Sequence, residues 1–449
     1  MRHLLFLFAI LAMAQPSYGQ TPTTNEPSFK QTFQKEQYIA DLNDLVDALT
    51  HSHPRPYQFI SQEAFQQLVQ QKRQAITSNT TYSEFIWMCS ELVTSIGCGH
   101  TNMIFFNQES KVVPPALMMP LEAVLIDNKL LVLDPLHNQD KVAVGQEIMA
   151  INGQPVETIL EGVYAHISAD ANNPAGKTML FNGFFQFYMP YHFGFPTTYD
   201  IQLKGQDEVI QLAPQQFFEF NPKSLYPSDC QQPFCYQALP ALNAGLLTIS
   251  SFDFGNQAGT DQYRSFIKAT FKQLQQDSVQ HLIVDMRKNM GGPGTNGHYL
   301  LKHLAKAPFT YFDETTDYHS YFKMPTSPAA AAFQDDLTVL IGNGNFSSVN
   351  HVLSLLKYHK RATFVGEETG GTYTCNDNSR YLSLPHTGIN IRIAQSAFTT
   401  PVSDLPIDQG ILPNHRIVQT IDDYLGGKDA ALEYAKALIQ AESSSAANK

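Results

Sequence analysis

From about residue 240 onward, short apolar segments of strand length alternate with longer segments in which apolar residues have helical spacing. The apolar stretches 244–249, 281–285 and 337–341 are each followed by a segment of the helical kind. Alternation of this sort predicts an α/β layer built on a mostly parallel sheet. Because ligands gather at the carboxyl ends of the strands in such sheets, the residues directly after these strands are the first candidates for a functional site.

Two serines occupy one of these junctions. Ser347 and Ser348 follow the third strand and a Gly/Asn turn, and an apolar helical segment that includes Val352 comes next. A serine at the start of a helix can cap it with its hydroxyl group. Alternatively, it can act as a nucleophile close to the free backbone N–H groups of the first helical turn. The segment alone leaves both interpretations open.

Three other motifs accompany the serines. The segment 285–292 reads Asp-Met-Arg-Lys-Asn-Met-Gly-Gly after a buried strand, 366–371 reads Gly-Glu-Glu-Thr-Gly-Gly, and 97–101 reads Gly-Cys-Gly-His-Thr after a helical run. Along the chain, the Gly-His-Thr motif comes first, followed by the Asp-Met-Arg motif, the serines and the Gly-Glu-Glu-Thr motif. This set resembles the tail-specific, or carboxyl-terminal processing, serine proteases, and more closely their tricorn-core branch. The resemblance extends from about residue 31 to about residue 430. It implies a mixed α/β protein with an N-terminal helical domain, a PDZ-like domain and an α/β protease core of the ClpP/crotonase-like type.

The resemblance also implies roles for individual residues. Ser347 matches the position of the family's nucleophile, and the backbone N–H of Ser348 matches one donor of the oxyanion hole. The second donor is then a backbone N–H of Gly291 or Gly292, where the absence of a side chain lets the backbone approach the substrate closely. Asp285 and Arg287, in the same motif, are interpreted as a structural ion pair at the end of a strand, with contact to the substrate as the alternative.

The general base distinguishes the branches of the family. The bacterial tail-specific branch has a Lys where this chain has Thr372, whereas the tricorn-like branch uses a histidine that matches His100. A neutral imidazole suits a general base at physiological pH. The same histidine, taken alone, is compatible with a satisfied histidine in the core. The acid that orients the base is assigned to Asp408, one residue displaced from the family's Glu, with Glu367 and Glu368 as alternatives that could instead stabilise their turn.

The middle of the chain resembles a PDZ module. A strand, the turn Asn152-Gly153 and a helix follow one another at 144–160, and PDZ modules bind peptides by adding them to a sheet edge. An insertion at about 160–200, rich in Phe, Tyr, Pro and Gly, interrupts this module. We interpret it either as a wall or lid near the active site or as a packed aromatic segment.

The N-terminus predicts export. A charged start at Arg2 and His3 precedes the apolar stretch 4–14 and a region of small residues, the pattern of a cleavable signal peptide. The apolar stretch is shorter than the roughly 20 residues that span a bilayer. We therefore expect a periplasmic or secreted protein.

The predicted divisions of the chain are a signal peptide (1–19), a flexible leader (20–30), an N-terminal helical domain (31–112), a PDZ-like domain (113–213), a serine protease catalytic domain (214–440) and a disordered tail (441–449).

Composition limits the partners and cofactors. A net charge of −12 argues against sequence-independent nucleic-acid binding, which needs a basic surface. The pair His51 and His53 lacks a third ligand and is interpreted as part of a turn, so we predict no metal and no organic cofactor. Among the five cysteines, Cys230 and Cys235 could close a small loop as a disulfide.

The predicted function is that of an exported serine peptidase acting on peptide or protein substrates. Two alternatives remain open at this point. One is a non-catalytic ligand- or peptide-binding protein on the same scaffold, suggested by the aromatic residues at 178–198 and by the displaced acid. The other is an esterase, because acyl-serine chemistry does not by itself select amides over esters.

Overall fold

The computed structural model of the protein describes residues 29–103, 113–215, 217 and 224–447. The predicted signal peptide and nearly all of the predicted leader lie outside these residues. Within the described ranges, no helix has the combination of length and apolar character that a transmembrane helix requires.

The secondary structure alternates as the sequence predicts in the second half of the chain. The α-helices are α1 (Lys35–Asp47), α2 (Gln62–Ala75), α3 (Tyr82–Ser95), α4 (Val156–Tyr164), α5 (Pro174–Phe193), α6 (Gln257–Gln276), α7 (Gly294–Leu304), α8 (Ser348–Tyr358), α9 (Ile421–Leu425) and α10 (Ala430–Ala447). The first strands are β1 (Asn102–Met103), β2 (Glu122–Ile126), β3 (Lys129–Asp134), β4 (Glu147–Ile151), β5 (Gln154–Pro155), β6 (Tyr199–Leu203), β7 (Val209–Leu212), β8 (Phe234–Leu239) and β9 (Ala244–Ile249). The remaining strands are β10 (His281–Asp285), β11 (Asp336–Ile341), β12 (Thr363–Gly366), β13 (Thr374–Asp377), β14 (Arg380–Ser383), β15 (Asn390–Ile393), β16 (Ser396–Thr399) and β17 (His415–Arg416).

The second half of the chain is built on a six-stranded sheet in the order β17-β12-β11-β10-β9-β8. All its pairs are parallel except β8 with β9. Successive side chains of β10 point to opposite faces: Leu282 and Val284 pack with α6, α7 and α8, whereas Ile283 packs with α10. Because both faces are covered, the strands are continuously apolar, as parallel strands in α/β layers are. The helix α10 continues to Ala447, where the sequence predicts a disordered tail from residue 441.

A second sheet forms the middle of the chain, with the strand order β2-β3-β4-β6-β7 and antiparallel pairing throughout. The strands β2 and β3 are joined at Asp127 and Asn128, which have φ values of 50° and 63°. Positive φ at both central residues is what a two-residue hairpin turn requires, and Asp and Asn tolerate it better than most residues. Asp127 and Asn128 therefore form the two-residue turn of a β-hairpin.

The aromatic insertion forms the helix α5, which packs across β2. Its side chains Phe181, Phe185 and Met189 are fully or almost fully buried. They belong to one apolar core that includes residues of α1, α3 and the middle sheet. The predicted boundary at 112/113 consequently does not separate two hydrophobic cores. The insertion is a packed element of the fold and not an exposed lid.

The helix α5 also occupies the free edge of the middle sheet. The side chain of Asn182 accepts the N–H of Leu125 at 2.7 Å and donates to the carbonyl oxygen of Leu125 at 3.1 Å. These are the two hydrogen bonds that an added antiparallel strand would make with a residue of β2. At Leu125 the edge is therefore satisfied from within the chain.

Candidate active site

The junction between β11 and α8 forms a strained turn. Ser347 has φ 64° and ψ −138°, a conformation that residues with a Cβ rarely adopt and that often marks functional sites. Its side chain makes no capping hydrogen bond to α8. The turn is held by Asn345, whose Oδ1 accepts the N–H of Gly342 at 2.9 Å and whose Nδ2 donates to the carbonyl oxygens of Met286 and Asn289. Capping, one of the two interpretations of Ser347, is thus absent in the structure.

The hydroxyl of Ser347 meets the predicted histidine. The Nε2 atom of His100 lies 3.0 Å from the Oγ atom of Ser347. His100 is only 3% exposed, and it lies in the turn between α3 and β1. Thr101 secures this turn, because its Oγ1 accepts the N–H of Ala394 at 3.0 Å.

Burial controls the protonation of this histidine. Desolvation lowers the pKa of His100 to about 4, while the charge of Asp377 acts to raise it and that of Arg392 acts to lower it. The imidazole is consequently neutral at neutral pH. That is the form that can accept a proton from a serine hydroxyl.

The carboxylate beside His100 belongs to Asp377, at the end of β13. Its Oδ2 lies 3.5 Å from the Nε2 atom of His100, and its Oδ1 accepts hydrogen bonds from Arg392 at 2.7 Å and Ser379 at 2.8 Å. Burial by itself would raise the pKa of Asp377, but the interactions with His100 and Arg392 outweigh it and hold that pKa below its ordinary value. This carboxylate therefore remains charged next to the imidazole.

Asp408, the acid that the sequence predicts to orient the base, is not the carboxylate beside His100. It is exposed on the segment before Gly410, and in the described part of the chain the carboxylate that contacts His100 is that of Asp377. Sequence reasoning missed Asp377 because its local signal is only an Asp at a strand end. Its proximity to His100 arises from folding alone.

The predicted oxyanion donors lie next to Ser347. A Cβ atom on Gly291 would lie 2.8 Å from the carbonyl oxygen of Phe346 and 2.9 Å from the backbone nitrogen of Ser348, so only glycine permits this approach. The N–H of Gly291, however, donates to Oδ1 of Asn289 at 2.8 Å. It is therefore not free to bind an oxyanion. Of the predicted pairings, the one between Ser348 and Gly292 remains.

Ser348 and Gly292 are fixed relative to each other. The Oγ of Ser348 donates to the carbonyl oxygen of Gly292 at 2.7 Å. Gly292 has φ 134°, a value that favours glycine, and a Cβ there would lie 2.4 Å from the backbone nitrogen of Asp253. Within the described residues, neither backbone N–H has an acceptor in hydrogen-bond contact. Both N–H groups are consequently available to a substrate.

The loop 366–372 packs against the first turn of α8, the helix that follows Ser347. Asn350, in the first turn of α8, donates through Nδ2 to Oγ1 of Thr369 at 2.9 Å and to the carbonyl oxygen of Gly371. The Oε1 of Glu368 accepts the N–H of Gly410 at 2.9 Å. These contacts give Asn350 and Glu368 structural roles.

Two other residues of this loop region have structural partners. Glu367 accepts a hydrogen bond from the hydroxyl of Tyr226 at 3.2 Å. Thr372, at the position of the family's Lys, donates from its hydroxyl to the carbonyl oxygen of Thr374 at 2.7 Å. Neither contact involves His100.

The predicted ion pair at the end of β10 is present and extended. Arg287 is 2% exposed and donates two hydrogen bonds to Asp285 and two to Asp429, at distances of 2.6–3.0 Å. Burial alone would raise the pKa of Asp285, but the guanidinium of Arg287 holds it below its ordinary value. The cluster ties the strand end to the start of α10.

The remaining predicted features have structural explanations. Cys230 and Cys235 are joined by a disulfide. His51 pairs with Asp47 at 2.9 Å on the surface, whereas the Nδ1 of buried His53 accepts the N–H of Arg55. Each histidine of the His51/His53 pair thus has its own partner in the helix-to-helix turn.

The geometry agrees with a sequence comparison. Residues 243–417 match the profile of Peptidase family S41. This segment is a peptidase family S41 domain. The match confirms the predicted tail-specific protease family and, with it, the peptidase class. The matched segment contains Ser347, Gly292 and Asp377 but not His100, so the imidazole enters the site from outside the S41 domain.

Solved structures share this fold. The crystal structure of mature CPAF aligns with a TM-score of 0.62 at 13% identity, covering 90% of this chain and 97% of that one. Mature CPAF complexed with lactacystin aligns with a TM-score of 0.63 at 13% identity, covering 92% and 100%. No curated protein sequence matches the chain significantly.

Proposed function

We propose that this protein is an exported serine peptidase in which Ser347 is the nucleophile and His100 the general base. The observation that carries the proposal is the 3.0 Å contact between Oγ of Ser347 and Nε2 of His100. A hydroxyl paired with a buried neutral imidazole is the arrangement that activates a serine. The signal-peptide pattern at residues 1–19 supports export, and peptides or proteins are the substrates.

The first half of the reaction forms an acyl-enzyme. Oγ of Ser347 attacks the carbonyl carbon of the scissile amide while Nε2 of His100 takes the hydroxyl proton. The resulting oxyanion receives hydrogen bonds from the backbone N–H groups of Ser348 and Gly292. The carboxylate of Asp377, 3.5 Å from Nε2, stabilises the imidazolium that forms. Collapse of the intermediate breaks the C–N bond, and the leaving amine takes the proton from His100.

The second half releases the acid product. A water molecule gives its proton to Nε2 of His100 and attacks the acyl carbon. The intermediate collapses with return of the proton to Oγ of Ser347. No step in this sequence requires a group beyond the side chains and backbone amides named here.

A fluorophosphonate probe and a peptide library test the proposal together. The wild-type protein should be labelled at Ser347 and should cleave a subset of the peptides, whereas Ser347→Ala should do neither while keeping its far-ultraviolet circular dichroism. Ser348→Ala is the matched control, because it keeps the backbone N–H and removes only the hydroxyl bonded to Gly292. It should therefore still be labelled.

Other outcomes separate the alternatives. Labelling without cleavage of any peptide, together with hydrolysis of aryl esters, would identify an esterase. Absence of both labelling and hydrolysis in the wild-type protein would leave a non-catalytic binding protein. Labelling that persists in Ser347→Ala and disappears in Ser348→Ala would move the nucleophile by one residue.

A further inference from the structure

The turn between α4 and α5 lies against the turn that carries His100. The N–H of Ala171 donates to the carbonyl oxygen of Gly97 at 2.9 Å, and Oδ1 of Asp170 accepts the N–H of Gly99 at 2.9 Å. These two hydrogen bonds join the turns immediately before His100. The middle of the chain thereby contacts the turn that carries the predicted base.

The same turn reaches the loop behind the nucleophile. Asn173 donates from Nδ2 to the carbonyl oxygen of Thr369 at 3.1 Å, and Thr369 is in turn bonded to Asn350 of α8. Ala171 and Asn172 both have positive φ, at 54° and 56°, a conformation that is uncommon for Ala. The turn bridges the two sides of the site, the side of His100 and the side of Ser347.

The carboxyl group of Asp170 is buried, and only one of its two oxygens has a hydrogen-bond partner among the described residues. Asp170 is 4% exposed, and its Oδ2 is buried without a partner among the described residues. In the same part of the structure, the Nδ1 of His100 is also buried without a described partner. Buried polar atoms in native proteins are nearly always paired, and an exception calls for an explanation. An Asn at 170 would offer the same Oδ1 acceptor without burying an ionisable group.

The surroundings of Asp170 are largely acidic or apolar. Desolvation raises the pKa of Asp170 to about 7; the N–H of Gly99 acts to lower it and Asp377 acts to raise it further. The thiols of Cys98 and Cys375 also face this carboxyl group, and both are buried and protonated. Among the described residues, the groups that act on the pKa of Asp170 include no cation.

We propose that Asp170 is a positioning residue for His100, holding through the N–H of Gly99 the turn that aims the imidazole at Ser347. The inference rests on the proposed function, since it gives Asp170 a role only if His100 is the base. It deepens that proposal by making the site depend on a residue far outside the S41 domain. It also gives a reason for an ionisable group at a position where an amide would fit.

Ionisation of Asp170 has opposite effects on the turn and on stability. The carboxylate accepts a stronger hydrogen bond from Gly99 than the neutral acid does, so the turn is held most firmly above about pH 7. The folded protein, however, keeps the proton up to about pH 7, whereas the unfolded chain loses it near the ordinary carboxyl pKa of 3.8. Between these values the folded state binds more protons, so this group makes stability fall as pH rises.

The variants Asp170→Asn and Asp170→Ala, made in the full chain, test the inference through kcat, KM and thermal unfolding from pH 5 to 9. Asp170→Ala should lower kcat roughly 10- to 100-fold with little change in KM, because a base displaced by a fraction of an ångström loses its alignment. Asp170→Asn should recover part of this loss, and its kcat should lack the rise near pH 7 that the wild-type protein shows. Its Tm should exceed that of the wild-type protein at pH 8, and the difference should shrink toward pH 5.

Asp44→Asn, on the exposed face of α1, is the control and should change none of these quantities. An Asp170→Asn variant with the wild-type pH profile, or an Asp170→Ala variant with wild-type kcat, would overturn the inference while leaving the proposed function intact. If Asp170→Ala does not fold, Asp170→Asn alone decides the question through its pH profile. A wild-type protein that is neither labelled by the fluorophosphonate probe nor active would remove both proposals.

Discussion

The ring of Phe346 lies stacked against the imidazole of His100, with ring centroids 4.4 Å apart and planes inclined by 26°. Phe346 directly precedes the nucleophile in the chain, and Gly99 directly precedes the base. A Cβ atom on Gly99 would lie 2.6 Å from Cε2 of Phe346. The approach of the two turns therefore depends on a glycine on one side and an aromatic ring on the other.

We expect Gly99→Ala to separate these turns. The added methyl group cannot fit without moving Phe346, so the Nε2–Oγ contact should lengthen and kcat/KM should fall at least roughly 10-fold. Peptide hydrolysis by the purified variant measures this. Gly294→Ala is the control, since a Cβ there would meet only Tyr311, at 4.0 Å. Equal activity of the two variants would show that the stack does not control the geometry.

The pH dependence of activity should reflect the buried state of His100. Because burial lowers the pKa of His100 to about 4, the neutral base is present at pH values well below the ordinary histidine range. The main rise of kcat/KM with pH should be centred near pH 4, well below the smaller rise near pH 7 that we assign to Asp170. Initial rates in overlapping buffers, with circular dichroism at each pH to exclude unfolding, provide the measurement. A main rise centred at pH 6.5 would mean that the imidazole is solvated in the working enzyme.

Replacing Asp by Asn at positions 377 and 408 shows which of the two carboxylates assists His100. Asp377→Asn keeps the size of the side chain but removes the charge 3.5 Å from Nε2 of His100, so kcat should fall about 10- to 1,000-fold. Asp408→Asn, at an exposed position, should stay within about two-fold of wild type. Steady-state kinetics of both variants decide between them. The reverse ranking would return the role to Asp408.

The buried ion cluster should matter for stability and not for catalysis. Asp429→Ala removes one of the two carboxylates around Arg287 and also the cap that accepts the N–H of Leu432, at a cost of about 3–5 kcal/mol in the free energy of unfolding. Glu433→Ala, which breaks an exposed pair with Lys436 on the same helix, should cost less than about 1 kcal/mol. Urea denaturation measures both values. Similar costs for the two variants would contradict the assignment of Arg287 as a structural anchor.

The free edge of the middle sheet should not accept a peptide strand. Asn182→Ala leaves the N–H and the carbonyl oxygen of Leu125 without their partner, so we expect a loss of about 1–3 kcal/mol in stability. We also expect that carboxyl-terminal peptides do not bind at this edge. Isothermal titration calorimetry with a peptide set can test this in the variant Ser347→Ala, which should not cleave the peptides. Binding that Asn182→Ala strengthens would show that the edge is instead a site masked by α5.

Local patterns in the sequence determined the α/β layer of this protein. The apolar strands near 244, 281 and 337, each followed by a helical segment, predict the parallel sheet, because burial on both faces requires continuous apolar strands. The position of Ser347 between a strand and a helix follows from the same pattern. Glycine pairs mark the close backbone approaches, since a Cβ at Gly291 or Gly292 would collide with its neighbours.

Only the tertiary structure decided which polar groups surround the nucleophile. His100 and Ser347 are 247 residues apart in the chain, and Gly99 and Asp170 are 71 apart, so no local period links them. Asp377, and not Asp408, contacts His100 because of distances that arise only when separate segments of the chain pack together. Hydrophobic periodicity encodes which face of an element is buried, whereas the partner of a buried polar group depends on which segments that burial brings together.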